Sequence, residues 1–355
     1  MKIASCSVRK ENLLLTRPYT IAFKTIDTVE NGIIELVSDT GERGYGAFNP
    51  SYEVVGEKLD DALGALQPHQ LDGLIGRDIA HIDQLCREVQ QRFAHSTTAR
   101  TGLEIALYDL YARSLHVPLV KVFGQQITAM PTSITIGIKN VQETLEEARE
   151  YVGRKFRILK IKLGISVEED IERLVKLRET FGNQVSLIID ANQGYDKTSC
   201  TRFINETRHL DIQLIEQPLP AGKEQEMAEL DEPIKRLIAA DESLLTPQHA
   251  EQLAGPPAAC GFFNIKLMKC GGITPAFNIA STAARHGIGL MWGCNDESII
   301  SITAALHTAF ACAHTKFIDL DGSFDLAQDV VQGGFILKDG IMYASELPGL
   351  GVEAA

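Results

Sequence analysis

The sequence predicts an α/β protein: a (β/α)8-type barrel with a separate α+β domain. Three observations predict it. From residue 131 onward, eight short apolar runs alternate with helical patterns. One residue near the end of each run recurs at intervals of 25–28 positions: Thr135, Lys162, Asp190, Glu216, Asp241, Lys266, Cys294 and Asp319. Such a constant interval is that of successive βα units. Residues 1–130 lack the period and read as a hairpin followed by helices. The expected division is an α+β domain over 1–130, completed by the tail 325–355, and a barrel over 131–324.

In the first region, "GIIELVSDTGERGYGAF" reads as a hairpin turning at "SDTGE", and "ARTGLEIALYDLYARSL" as a helix. The eight barrel runs are "TSITIGI", "ILKIKLG", "SLIIDAN", "IQLIEQP", "LIAADES", "FFNIKLM", "IGLMWGC" and "KFIDLDG". Between them, Asn140 with Glu143 and Ser166 with Glu169 have capping-box spacing. Thr246-Pro247 and Thr274-Pro275 each offer a Thr N-cap with Pro at the first helical position. Gly182, Gly255 and Gly287 are expected helix stops. The tail reads as a second hairpin, turning at Lys338-Asp339-Gly340 and packing back on the first domain.

The chain has 355 residues and 45% hydrophobic content, enough for a large core. A net charge of −13 and a pI near 5.2 argue against nucleic acid or an anionic membrane as partner. They permit a cationic small substrate. Seven cysteines are scattered with no CxxC pair, which fits reduced thiols and a cytoplasmic location better than disulfides or a zinc site. The N-terminus has no secretory pattern. "SIISITAALHTAFACAHTKF" carries histidines and threonines and reads as a packed helix, not a membrane span.

Asp190, Glu216 and Asp241 end three successive runs, so a barrel brings their carboxylates together. Separately, each could be a solvated loop acid or a helix cap. Together they repel and raise one another's pKa, a conflict that a hard divalent cation removes. An all-oxygen set favours Mg²⁺ or Mn²⁺. Lysines flank the triplet. Lys160 and Lys162 lie two apart in "ILKIK", hence on one face of a strand; Lys266 ends the run on the far side. A nearby cation and burial lower a lysine's pKa, and one lysine of the doublet is expected to keep its neighbour partly neutral. The chemistry expected is removal of a proton next to a carboxylate, giving an enediolate, with one lysine on each face. Lys269, which alternation turns away from Lys266, is read as a structural salt bridge to a neighbouring strand.

The ordered set "KIK", "DANQGY", "EQP", "ADES" and "IKLMKCGG" resembles the enolase superfamily, muconate-lactonizing enzyme subgroup, across essentially the whole chain. The resemblance implies a modified TIM barrel with the α+β domain as its capping domain, and loops near 18–28 and 48–56 closing the site. It implies one Mg²⁺ per subunit on Asp190, Glu216 and Asp241, acid/base work by Lys162 and Lys266, and Lys160 on the substrate carboxylate. The use of a Lys or His base with Mg²⁺ is a known property of that superfamily. Within the subgroup, Asp319 and Asp321 in "FIDLDGSFDL" resemble the paired aspartates with which dipeptide epimerases hold a substrate ammonium. A Mg²⁺-dependent dipeptide epimerase is therefore expected, an isomerase inverting the C-terminal residue of an L,L-dipeptide. Ile26 stands where alanyl-glutamate epimerases carry an arginine, with Lys24 nearby. Asp296 and Glu53 point to basic or neutral side chains over Ala-Glu, and Thr135 is a further candidate contact. The alternatives are an N-acylamino acid racemase, an o-succinylbenzoate synthase, a muconate-type cycloisomerase, or a catalytically retired binder. The expected partner is a small dipeptide, with no nucleic acid and no membrane, and the chain is expected to form a homo-oligomer.

Overall fold

Alternation along eight strands sets the architecture. The computed structural model describes residues 1–21 and 24–355, without the side chains of 18–26; the readings at Lys24 and Ile26 concern side chains outside what is described. Strands β1 (Ile3–Ile21), β2 (Lys24–Ser38) and β3 (Arg43–Phe48) form an antiparallel sheet. Its β2–β3 turn falls at the predicted "SDTGE". Helix Thr97–Ser114 lies against this sheet and is buried over most of its length. A short strand β4 (Ala129–Pro131) leads into the barrel.

The barrel strands are β5 (Ser133–Ile136), β6 (Ile158–Lys162), β7 (Ser186–Asp190), β8 (Ile212–Glu216), β9 (Ile238–Ala240), β10 (Phe262–Ile265), β11 (Gly289–Trp292) and β12 (Thr315–Ile318). They pair in parallel in chain order. A bridge between Thr132 and Ile318 brings the first and last together. The eight predicted runs are these eight strands. Ile158, Ile188, Leu214, Ala239 and Met291, with Phe262 and Phe317, pack as one interior cluster. Two residues further along the same strands stand Lys160, Asp190, Glu216, Asp241, Asn264 and Asp319. A period of two keeps them on the interior face, so the barrel is apolar below and charged at its C-terminal mouth.

The predicted helix signals are largely present. Asn140 and Glu143 form a reciprocal capping box, Ser166 accepts from the Glu169 N–H, and Thr246 caps a helix with Pro247 in its first turn. Gly182, Gly255 and Gly287 follow their helices. The expectation for Thr274 is corrected: its helix runs Ile273–His286, with Gly272 at the N-cap. The cap comes from the other domain. Glu104, fully buried on Thr97–Ser114, accepts the Thr274 N–H at 3.0 Å. A carboxylate at a helix N-terminus is favoured by the helix dipole, and burial pushes Glu104 up to about 7.

The tail forms β13 (Val331–Gly333), β14 (Phe335–Lys338), β15 (Ile341–Ala344) and β16 (Val352–Ala354). β14 and β15 make the predicted hairpin, with Asp339 and Gly340 both at positive φ, as a tight two-residue turn requires. β15 pairs with β4, and β16 with β13. The tail also reaches the capping helix: Asp109 accepts the Leu350 N–H at 2.7 Å. The segment Ile299–Phe310 is a packed helix, as expected. Among the described residues no helix is long and apolar enough to cross a membrane. All seven cysteines are free.

Candidate active site

At the barrel mouth the strand ends place three carboxylates side by side. Asp190 and Glu216 are register partners on β7 and β8, and Asp241 follows β9 directly. All three are buried. Four ammonium groups stand among them. Lys160 reaches Asp190 at 3.2 Å, Glu216 at 2.8 Å and Asp319 at 2.7 Å. Lys162 reaches Asp190 at 2.7 Å. Lys266 reaches Asp241 at 2.8 Å, and Lys269 pairs with the other Asp241 oxygen.

The electrostatics follow from burial and these pairs. Burial works against the Lys160 charge, yet Asp319, Glu216 and Asp190 hold it protonated, well above the usual lysine range. Lys266 is raised in the same way, mainly by Asp241. Burial and the neighbouring Asp190 push Glu216 up, whereas Lys162 and Lys160 overcome burial to hold Asp190 down. With three carboxylates around Lys160, their attraction outweighs burial; the expected lowering of a lysine's pKa belongs to the site with its cation in place.

Among the described residues no three His, Cys, Asp or Glu side chains close on a common point ready for a cation; the lysines stand as counter-ions. The donor set still fits a hard divalent ion. Its atoms are all carboxylate oxygens, and buried Glu216 Oε2 makes no hydrogen bond, only its ion pair with Lys160. The other oxygen, Oε1, accepts from Asn264 Nδ2 at 2.8 Å.

Each predicted residue can be placed. Lys160 is buried, while the side chains of Lys162 and Lys266 are 31% and 13% exposed at the mouth. Their strands, β6 and β10, lie four apart in a ring of eight, hence opposite each other. Asp321 accepts the Thr135 N–H at 2.8 Å, which joins two of the candidates. Burial and the adjacent Asp319 push Asp321 up. Asp296 is partly exposed beyond β11, next to Glu297, whose carboxyl its charge helps to raise. Glu53 is exposed on the short helix Tyr52–Val55, in the second loop of the cap. Lys269 makes the expected salt bridge to a neighbouring strand, at Asp241 directly after β9, but is not turned away from the Lys266 cluster. The chain enters the helix Leu267–Cys270 directly after Lys266, so strand alternation no longer applies and the side chain returns to the same cluster.

Other residues escaped the sequence reading. Asn264 bridges to Glu216, and Gln217 Oε1 accepts the Asp241 N–H at 2.9 Å. Asn295 Nδ2 donates to the Asn49 carbonyl at 3.1 Å, tying the exit of β11 to the second capping loop. Burial pushes Glu297 up to about 7, and it accepts the Asn295 N–H. The motifs "FFNIK" and "EQP" contained the only signal for Asn264 and Gln217.

An eight-stranded barrel with acids and lysines at its C-terminal mouth and an α+β cap above defines a class. The chain belongs to the enolase superfamily: residues 3–124 match the mandelate racemase / muconate lactonizing enzyme N-terminal domain and residues 143–355 the enolase C-terminal domain-like family. Two relatives are named L-Lys-D/L-Arg epimerase. That of Methylococcus capsulatus is 51% identical, and that of Desulforapulum autotrophicum 48%; each alignment covers 99% of both chains. A crystal structure of the Methylococcus capsulatus dipeptide epimerase, complexed with Mg and the dipeptide L-Arg-D-Lys, superposes with a TM-score of 0.97. It is 51% identical and covers 99% of both chains.

Proposed function

We propose that the protein is a Mg²⁺-dependent dipeptide epimerase that inverts the α-carbon of the C-terminal residue of L,L-dipeptides, with basic dipeptides preferred over Ala-Glu. The observation that carries the reading is the placement of Lys162 and Lys266 on opposite strands across one carboxylate set. One lysine on each face, a neutral amine as base on one and an ammonium as acid on the other, lets a proton leave one side of a carbon and another return to the opposite side; elimination would need only one.

Asp190, Glu216 and Asp241 would hold the Mg²⁺. When bound, the ion supplies positive charge where negative charge develops on the substrate carboxylate. With that charge present, Asp190, Glu216 and Asp241 would no longer depend on the ammonium groups as partners. Lys160 then has its charge for the substrate carboxylate, and Lys162 and Lys266 can act as base and acid. Asp319 and Asp321, on one face past β12, hold the substrate's terminal ammonium, with Thr135 supporting Asp321 through its backbone. The partly exposed Asp296 and the exposed Glu53 favour a cationic side chain. A homo-oligomer and a cytoplasmic location belong to the same reading; analytical ultracentrifugation and cell fractionation check them.

The test is α-hydrogen exchange in D₂O over a library of L,L-dipeptides, read by mass. Lys- and Arg-containing dipeptides should gain one deuterium at the C-terminal residue and invert. Exchange should vanish with EDTA, return with Mg²⁺, and be lost in Lys266→Ala for at least one epimer. Faster turnover of Ala-Glu, or exchange confined to N-acyl amino acids, would refute the assignment.

A further inference from the structure

We propose that Asp170, with Arg173 and Tyr195, forms a buried positioning network for Lys162 and not for Lys266. The proposal rests on the reading of Lys162 as one of two acid/base groups.

Lys162 is the last residue of β6, and its side chain is partly exposed. A lysine has a long, flexible stem, so the reach of its ammonium depends on where its backbone is held. That backbone is held on both sides of Leu163. Asp170, fully buried in the first turn of helix Val167–Phe181, accepts the Gly164 N–H at 2.9 Å. Arg173 donates to the other Asp170 oxygen and to the Lys162 carbonyl, the latter at 3.4 Å. Tyr195 donates its hydroxyl to the Asp170 oxygen that holds Gly164, at 2.5 Å. The phenol arrives from the loop after β7, whose Tyr195 N–H is bound to the Pro218 carbonyl at 3.0 Å.

The two loops are interlocked as well. Gly164 has a φ of +104°, and a Cβ there would lie 2.2 Å from the Ala191 carbonyl oxygen. A Cβ on Gly194 would lie 2.2 Å from the Gly164 oxygen. Leu163 N–H donates to the Asp190 carbonyl at 2.8 Å. The turn that bears Lys162 is therefore fixed by one carboxylate, one guanidinium, one phenol and a glycine contact.

A buried ion pair often stabilises a fold no better than apolar packing of the same size, so stability alone is a weak reason for this one. Geometry is a stronger reason. A general base must sit within hydrogen-bond reach of the proton it takes, and a displacement of about 1 Å can cost about 100-fold in rate. Lys266 is held by separate contacts. It pairs with Asp241, and a Cβ on Gly293 would lie 3.0 Å from its Cε. Weakening the Asp170 network should affect one face of the substrate only.

Isotope exchange separates the faces. Inversion slows equally in both directions, because the equilibrium constant is fixed. Exchange in recovered, uninverted substrate needs only the lysine on that substrate's own face. The neutral amine takes the α-hydrogen as a proton and leaves its electron pair on carbon; the deuterated ammonium then returns a deuteron to the same face.

The experiment uses the Mg²⁺-loaded full chain in D₂O with L-Lys-L-Arg and L-Lys-D-Arg. Lys162→Ala first identifies the epimer whose exchange depends on Lys162; if neither does, the acid/base reading fails, and the network proposal with it. Tyr195→Phe, which removes a single hydroxyl, should then slow exchange of that epimer by roughly ten-fold and leave the other within about two-fold. Asp170→Asn should give the same asymmetry, more strongly. If both epimers slow equally in Tyr195→Phe, or neither does, while Lys162→Ala remains asymmetric, the network proposal is overturned and the acid/base reading stands.

Discussion

The Lys160 ammonium lies 2.7 Å from the Asp319 carboxylate at the barrel mouth. Lys160 comes from β6 and Asp319 follows β12, so the contact spans the place where the first and last strands meet through the Thr132–Ile318 bridge. Ser133 also donates to Asp319 from β5. The carboxylate proposed to meet a substrate ammonium thus already faces a protein ammonium. Asp319→Asn should lower kcat/KM for L-Lys-L-Arg by roughly 10- to 100-fold, the worth of one or two hydrogen bonds to a charged group, mostly through a raised KM. An N-acetylated dipeptide, which has no ammonium, should be a poor substrate of both forms. Steady-state kinetics on the two substrates decide the matter; an unaltered KM in Asp319→Asn would remove this residue from the ammonium site.

Much of the mouth was legible because strands repeat with a period of two. Ile158 and Lys160, Leu214 and Glu216, and Ala239 and Asp241 are each two apart, so an apolar floor under a charged rim can be read along the chain. Contacts made across the fold left no local trace. The Thr274 helix takes its cap from Glu104, 170 residues earlier, and Asn295 meets Asn49 across 246 residues. The salt bridge of Lys269 was legible but its direction was not: the strand ends at Ile265, and the helical period takes over at Leu267.

The tail is fastened to the capping helix through Asp109, which is fully buried. Its two oxygens accept from the Tyr45 N–H at 2.8 Å and the Leu350 N–H at 2.7 Å, and Arg113 Nε lies 3.1 Å from both. Asn in its place would turn an NH₂ toward one of these donors and leave Arg113 without its counter-charge. Breaking a buried pair in this way costs about 3–5 kcal/mol. Asp109→Asn should therefore melt well below the parent and release the tail to protease before the barrel unfolds. Calorimetry and limited proteolysis check both; a tail that stays protected would show that β16 and the β4–β15 pairing hold it unaided.

His307 gives a pH dependence of stability with a defined sign. It is fully buried in Ile299–Phe310, and Nδ1 accepts the Val120 N–H at 3.2 Å. Burial pushes its pKa from 6.5 down to about 3. Below pH 6.5 the unfolded chain binds this proton first, so the contribution to stability is full above 6.5 and is lost as pH falls toward 3. The slope is at most about 1.4 kcal/mol per pH unit. His307→Asn keeps an acceptor near the Nδ1 position and removes the titration. Urea unfolding from pH 7 to 4, followed by the single tryptophan, Trp292, which is buried at the end of β11, should be less pH-sensitive in the variant. Equal slopes would mean that Val120 and His307 separate before the residue titrates.

Charge should also shape substrate choice. With a net charge of −13, the surface attracts a cationic dipeptide and repels an anionic one, and salt screens both effects over about 10 Å at 0.1 M. For L-Lys-L-Arg, kcat/KM should fall as NaCl rises from 20 to 300 mM, whereas for L-Ala-L-Glu it should stay flat or rise. Asp296 adds a local part to this field, since its charge already raises the neighbouring Glu297. Asp296→Asn should reduce the preference for basic dipeptides by roughly 2- to 5-fold, within the range of one partly screened ion pair, and the remaining preference should keep its salt dependence. Competition between the two dipeptides across the salt series separates the contributions. A preference that ignores both salt and Asp296 would assign side-chain selection to packing rather than charge.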